Sequence, residues 1–145
     1  MAAGDVIHVC RGAKHGSTTL ANATHFAISA PTQKSSDGGG AAYPGVKDEI
    51  VTKMDVFVEI FSNSYVELLA LVGLAAANFV GLTKGASGAN EQITVKNVVF
   101  SEAPGQIQAK NPGSTGEVGN FSIKGRALWG ASDTFATMIV SAAGS

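Results

Sequence analysis

Between Ile50 and Phe61 the apolar residues Ile50, Met54, Val56, Val58 and Ile60 all fall on even positions, whereas Lys53, Asp55 and Glu59 fall on odd ones. A period of two places alternate side chains on opposite faces of an extended chain, so this run predicts one long half-buried strand. Phe57 and Phe61 share the odd face with the charges, and that face is therefore expected to meet another surface. A second long strand is predicted over Val118–Trp129, where Phe121, Ile123, Ala127 and Trp129 alternate against Ser122, Lys124, Arg126 and Leu128. In Glu91–Phe100, Ile93 and Val95 alternate but Val98, Val99 and Phe100 run together, as they do when an extra residue near Asn97 shifts the phase in a β-bulge.

Other rhythms mark the remaining elements. Ser64 and Glu67 have the S-x-x-E spacing of a capping box, in which the hydroxyl and the carboxylate each satisfy a free amide at a helix start. A helix is expected over Ser64–Ala76 with Leu68, Leu69, Leu71, Val72 and Ala75 as its apolar stripe, and Gly73 inside it costs about 1 kcal/mol relative to Ala. Val6–Cys10, Thr24–Ser29 and Phe79–Thr83 read as short strands, and Thr134–Val140 as the segment that closes the sheet. Pro31–Gly45, with Gly38, Gly39 and Gly40 in sequence and prolines near both ends, has the composition of a long exposed loop. The order of strands around one helix predicts a single domain over residues 1–145, mainly β, with antiparallel sheets and one α-helix packed across an open end or face.

Composition changes this picture in one respect. Charged residues make up 14% of the 145 residues, against about 25% in ordinary globular chains. With a net charge of −1 there is neither a field to attract nucleic acid or an acidic membrane nor much repulsion between copies, and self-association is expected. Cys10 is the one cysteine, so the fold is expected to rest on packing without an internal disulfide. The N-terminal residues lack a basic region followed by an apolar one, and no stretch reaches the roughly 18–20 apolar residues of a membrane-crossing helix. A protein that is soluble when made, and that does not bind membranes, is expected.

Candidate chemistry is sparse. Asp48/Glu49 and Asp55/Glu59 are the nearest carboxylate pairs, and solvated strand faces account for them better than glycoside hydrolysis does. His8 and Cys10 would share a strand face with His15 and His25 within reach, but the spacing matches no zinc pattern, and a partly buried Cys10 among surface histidines is the simpler account. No nucleophile elbow or phosphate-binding loop is present, and Lys124–Gly125–Arg126 without interleaved aromatics is a weak nucleic-acid signal. The expectation is a protein that is not an enzyme, with no catalytic residue, cofactor or metal.

The segments DEIVTKMDVFVEIF, SYVELLALVGLA, ITVKNVVFSEAPGQI, FSIKGRALWG and TFATMIV together resemble the tail tube proteins of tailed bacteriophages, relatives of the inner tubes of contractile injection machines. The resemblance covers roughly Lys47–Val140 as a pattern of elements. It implies an antiparallel β-sandwich or barrel with one packed α-helix, assembled in the host cytoplasm as hexameric rings stacked into a hollow tube in the virion tail, through which DNA passes without being gripped. Its further implied partners are a tail terminator, a baseplate or tail tip, and in some tails a sheath. On that reading Pro31, Lys34, Asp37 and Tyr43 contact the next ring, with Tyr43 as an anchor, and Lys53, Asp55, Phe57, Glu59, Lys124 and Arg126 face the channel or a neighbouring subunit.

Two other readings share the predicted fold. A β-sandwich binding module would recognise a sugar or another surface through the loops after Ser29 and Ser101, and would be expected to expose more aromatics than two Tyr and one Trp. A decoration or tail-completion protein would stop at a single ring or a capsid contact.

Overall fold

The computed structural model describes residues 9–37, 48–85, 88–105 and 121–144. Its strands are β1 (Val9–His15), β2 (Thr18–Leu20), β3 (Ala23–Ser29), β4 (Thr32–Asp37), β5 (Asp48–Met54), β6 (Phe57–Ser62), β7 (Ala77–Lys84), β8 (Asn90–Val99), β9 (Phe121–Ala127) and β10 (Ile139–Ala143). Two short helices, α1 (Tyr65–Leu69) and α2 (Phe135–Met138), complete the order. All ladders between these strands are antiparallel, so the fold is mainly β as the alternation predicts.

The main sheet runs β2-β1-β7-β8-β9-β6-β3, with β10 also paired to β8. One strand therefore serves two layers. β10 pairs with β8 from Glu91 to Val95, and β9 takes over at Val98 and Val99. Between these stretches the β7–β8 register gains a residue on β8, and Asn97 adopts φ 51°. That bulge lies where the broken alternation predicts it, and it brings both Val95 and Val98 inward. Asn78 Oδ1 accepts from the Asn97 amide at 3.2 Å, and the Asn97 carbonyl accepts from Leu128 N at 2.8 Å.

The two layers close on each other through aromatics placed over glycines. The Phe26 ring of β3 meets Phe79 edge-on at 5.4 Å and lies where a Cβ on Gly81 of β7 would stand. Phe100 lies in the same way against Gly125, where a Cβ would fall 2.7 Å from its Cε1. Val56, Val58, Ile60, Leu68, Leu71, Phe79, Val95, Val98, Phe100 and Met138 are fully buried in the core they form. Each such side chain contributes on the order of 1.5–3 kcal/mol by leaving water.

Several expectations need correction. The predicted strand from Ile50 to Phe61 is two strands in different sheets, broken where Asp55 N donates to Pro31 O and Val56 O accepts from Ala127 N. The predicted helix to Ala76 stops at Leu69, because bonds spaced three residues apart tighten the backbone. Val72 then bridges to Phe100, and Gly73 turns at φ +82°. Ser64 does cap the Glu67 amide, but the Glu67 carboxylate accepts from Asn22 N and Nδ2, both at 3.0 Å, rather than reaching back to the helix start. The terminal segment begins as α2 before it becomes β10. His15 is not a surface residue: it is buried beside Phe100, with Nε2 2.7 Å from Val98 O. Among the described residues, no helix is long and apolar enough to cross a membrane.

Candidate functional site

The stretch predicted as the exposed loop Pro31–Gly45 holds a strand over Thr32–Asp37, and residues 38–45 lie outside the described residues. Among the described residues, β4 and β5 pair only with each other, from Thr32↔Met54 to Asp37↔Asp48, and form a separate two-stranded arm. Every described side chain on it is exposed. Ile50 is 59% accessible, Val51 52% and Met54 39%, on both faces of the ribbon. A lone two-stranded hairpin is marginally stable in water. Its cross-strand supports here are modest: a Lys34–Glu49 ion pair at 3.2 Å and Thr52 Oγ1 donating to Gln33 O.

The arm joins the main sheet at the Ser29 and Phe57 ends of β3 and β6, and its root meets the face on which the remaining candidates converge. Register sets Ser29, Phe57 and Arg126 in one row, Ala27, Glu59 and Lys124 in the next, and His25, Phe61 and Ser122 in the third. Lys124 Nζ sits 4.6 Å and the Arg126 guanidinium 5.0 Å from the Phe57 ring centre. Asp55 receives Arg126 at 3.7 Å and Lys53 at 3.8 Å, linking the arm to the sheet. His25 stacks on Phe61 with ring centres 4.0 Å apart. Exposed cation–π contacts are worth about 0.5–1 kcal/mol and exposed ion pairs about 0–1 kcal/mol, so this face adds little to the stability of one chain.

The structure thus brings Asp55, Phe57, Glu59, Lys124 and Arg126 onto one sheet face, with Lys53 reaching Asp55 from the arm. Pro31 stands at the arm root, its carbonyl held by Asp55 N at 3.0 Å, and Lys34 lies along the arm. Asp37 ends β4 opposite Asp48, while Tyr43 lies outside the described residues. The stacking of His25 on Phe61 and the pairing of TQKSSD were missed from sequence. Thr32–Asp37 carries no apolar alternation, and His25 gains its significance from a cross-strand neighbour distant in sequence.

Among the described residues, β3 and β10 each form a ladder on one side only; β3 also runs close to β1, whereas β10 leaves backbone groups along its outer edge. Among the same residues, no group of three or more His, Cys, Asp or Glu is arranged to hold a metal. What the arrangement offers is surface: an arm with apolar side chains in water, rooted in a mixed-charge, aromatic sheet face. No protein-family model matches the chain, and no curated protein matches its sequence.

Proposed function

We propose that this chain is a structural subunit that polymerises as stacked hexameric rings into the tail tube of a tailed phage, a hollow passage for DNA. The observation that carries this reading is the β4–β5 arm, which stands clear of its own core with Ile50, Val51 and Met54 in water. Such a ribbon gains its stability when another molecule covers it. The outer side of β10, which forms no ladder among the described residues, supports the same reading, since pairing with a neighbour's strand satisfies backbone groups that are a liability in a lone copy. A near-neutral charge suits a channel that passes DNA without holding its phosphates. The work proposed for Asp55, Phe57, Glu59, Lys124 and Arg126 is contact with a neighbour or with the channel, not catalysis. In this reading the tube ends meet a tail terminator and a baseplate or tip.

Negative-stain electron microscopy of the concentrated protein tests the proposal. Uniform hollow tubes built of stacked rings are the expected result. A protein that remains monomeric at all concentrations, alone and in virions, overturns it.

A further inference from the structure

α1 is apolar on both of its sides. Leu68 points into the core together with Leu71, whereas Val66, Leu69 and Ala70 lie at the helical spacing of one outward face and are exposed. Val66 is 75% accessible and Leu69 46%, and Leu74, just beyond the helix, is 39% accessible. Its one charged residue, Glu67, is turned toward Asn22, which leaves Val66 and Leu69 as an aliphatic face in water, the kind of face another surface ordinarily covers. From Leu68 to Asn78 the sequence carries no charge, so beyond Glu67 the cap has few of the charged side chains that keep a surface free of partners.

The position of this cap is fixed by register. β6 meets β3 and β9 at Ser29↔Phe57↔Arg126 at one end and at Ala23↔Ser62↔Phe121 at the other. The arm leaves from the first end. α1 sits at the second, where Tyr65 packs edge-on against Phe121 at 5.5 Å. β6, six residues long, separates the two by roughly 20 Å at the usual rise of a strand. The arm extends from its own end by the seven residues of β5, roughly 23 Å, with its side chains in water rather than against the body. One molecule therefore carries two uncovered apolar surfaces at opposite ends of the same layer, and its own arm stands at the wrong end to cover its cap.

We infer that the Val66, Leu69 and Leu74 cap receives the β4–β5 arm of a second copy, so that copies join head to tail along the strand direction. This rests on the proposal that the arm contacts another copy, and it names the surface the arm meets. Two different patches in contact make a heterologous junction, which does not close as a pair and propagates along an axis when the rotation between copies does not close a ring. Aliphatic side chains are supplied from both partners, Ile50, Val51 and Met54 from the arm and Val66, Leu69 and Leu74 from the cap.

Two variants followed by sedimentation velocity and electron microscopy decide the matter. Ile50→Lys blocks the arm, and Val66→Asp combined with Leu69→Gln blocks the cap. Val66→Asp alone serves as a second cap variant, because an acidic residue in the first helical turn suits the helix dipole. Circular dichroism and a thermal melt confirm that each variant is folded. Each variant alone is expected to need at least about tenfold more protein to polymerise than the parent chain. An equimolar mixture of the two is expected to form assemblies with a single junction, since one supplies an intact arm and the other an intact cap. Cap variants that polymerise at the parent concentration overturn this inference while leaving the tube reading intact. A mixture that forms no junction overturns it as well, and a parent chain that never assembles removes both readings together.

Discussion

β5 and β6 follow one another in a single run of alternating apolar residues, yet their fates are opposite. Val56, Val58 and Ile60 are wholly buried, whereas Ile50 and Met54, in phase with them, stand in water on the arm. Alternation records that a strand has a face to cover, and it is silent about which molecule covers it. β6 is covered by its own chain because β3 and β9 flank it and α1 closes its end. Among the described residues β5 has β4 alone, and the ribbon they make leaves its apolar side chains in water.

The comparison can be broken most directly by truncation in each half. Ile60→Ala leaves a cavity in a closed core and is expected to cost about 2–4 kcal/mol, measured by urea unfolding. Ile50→Ala, in the same phase of the same run, is expected to change monomer stability by less than about 0.5 kcal/mol. Similar losses at both positions would show that the arm belongs to the core.

Gly81→Ala sharpens the body side. The added methyl falls on the Phe26 ring that joins the two layers, and overpacking of this kind costs about 1–3 kcal/mol. The expected drop in melting temperature should be relieved by Phe26→Leu in the same chain, if the collision is its cause.

The smallest effect compares ion pairs. On the body, Asp133 is enclosed by Lys96 Nζ at 2.9 Å, by the Gly130 amide at 2.7 Å and by the Thr137 hydroxyl at 3.2 Å. The hydrogen bond from Lys96, then that from Gly130, holds the Asp133 carboxyl below its ordinary value. A carboxyl with a lowered folded value contributes stability that is complete above its unfolded value of about 3.9 and is lost as pH falls through the folded value. Asp133→Asn is therefore expected to flatten the fall of melting temperature with pH below about 4. Glu49→Gln, which removes the exposed pair with Lys34 on the arm, is expected to leave the monomer's melting temperature unchanged within about 1 °C.

Much of the fold was legible because local rules agreed with the tertiary result. The bulge near Asn97 was visible as a slip in apolar phase, and the Ser64 cap as a spaced pair of side chains. The helix length was misjudged because Val72 and Gly73 are captured by Phe100, a contact that no local preference records. β4 was invisible because Thr32–Asp37 takes its strand geometry from pairing with β5 rather than from its own residues. Of the candidate surface, the residues were named but their grouping was divided: Lys53 lies on the arm, and Phe57, Glu59, Lys124 and Arg126 lie on the sheet face.

By itself the sequence determined most of the extended stretches, the inward positions of β6 and β9, and a chain poor in charge, because these depend on side-chain period and composition. Only the tertiary structure decided where the long run breaks, that Phe26 takes the space over Gly81, and that arm and cap stand at opposite ends of one layer. Those outcomes arise from register between residues far apart in the chain, where steric fit and backbone pairing select one arrangement among many with the same local pattern.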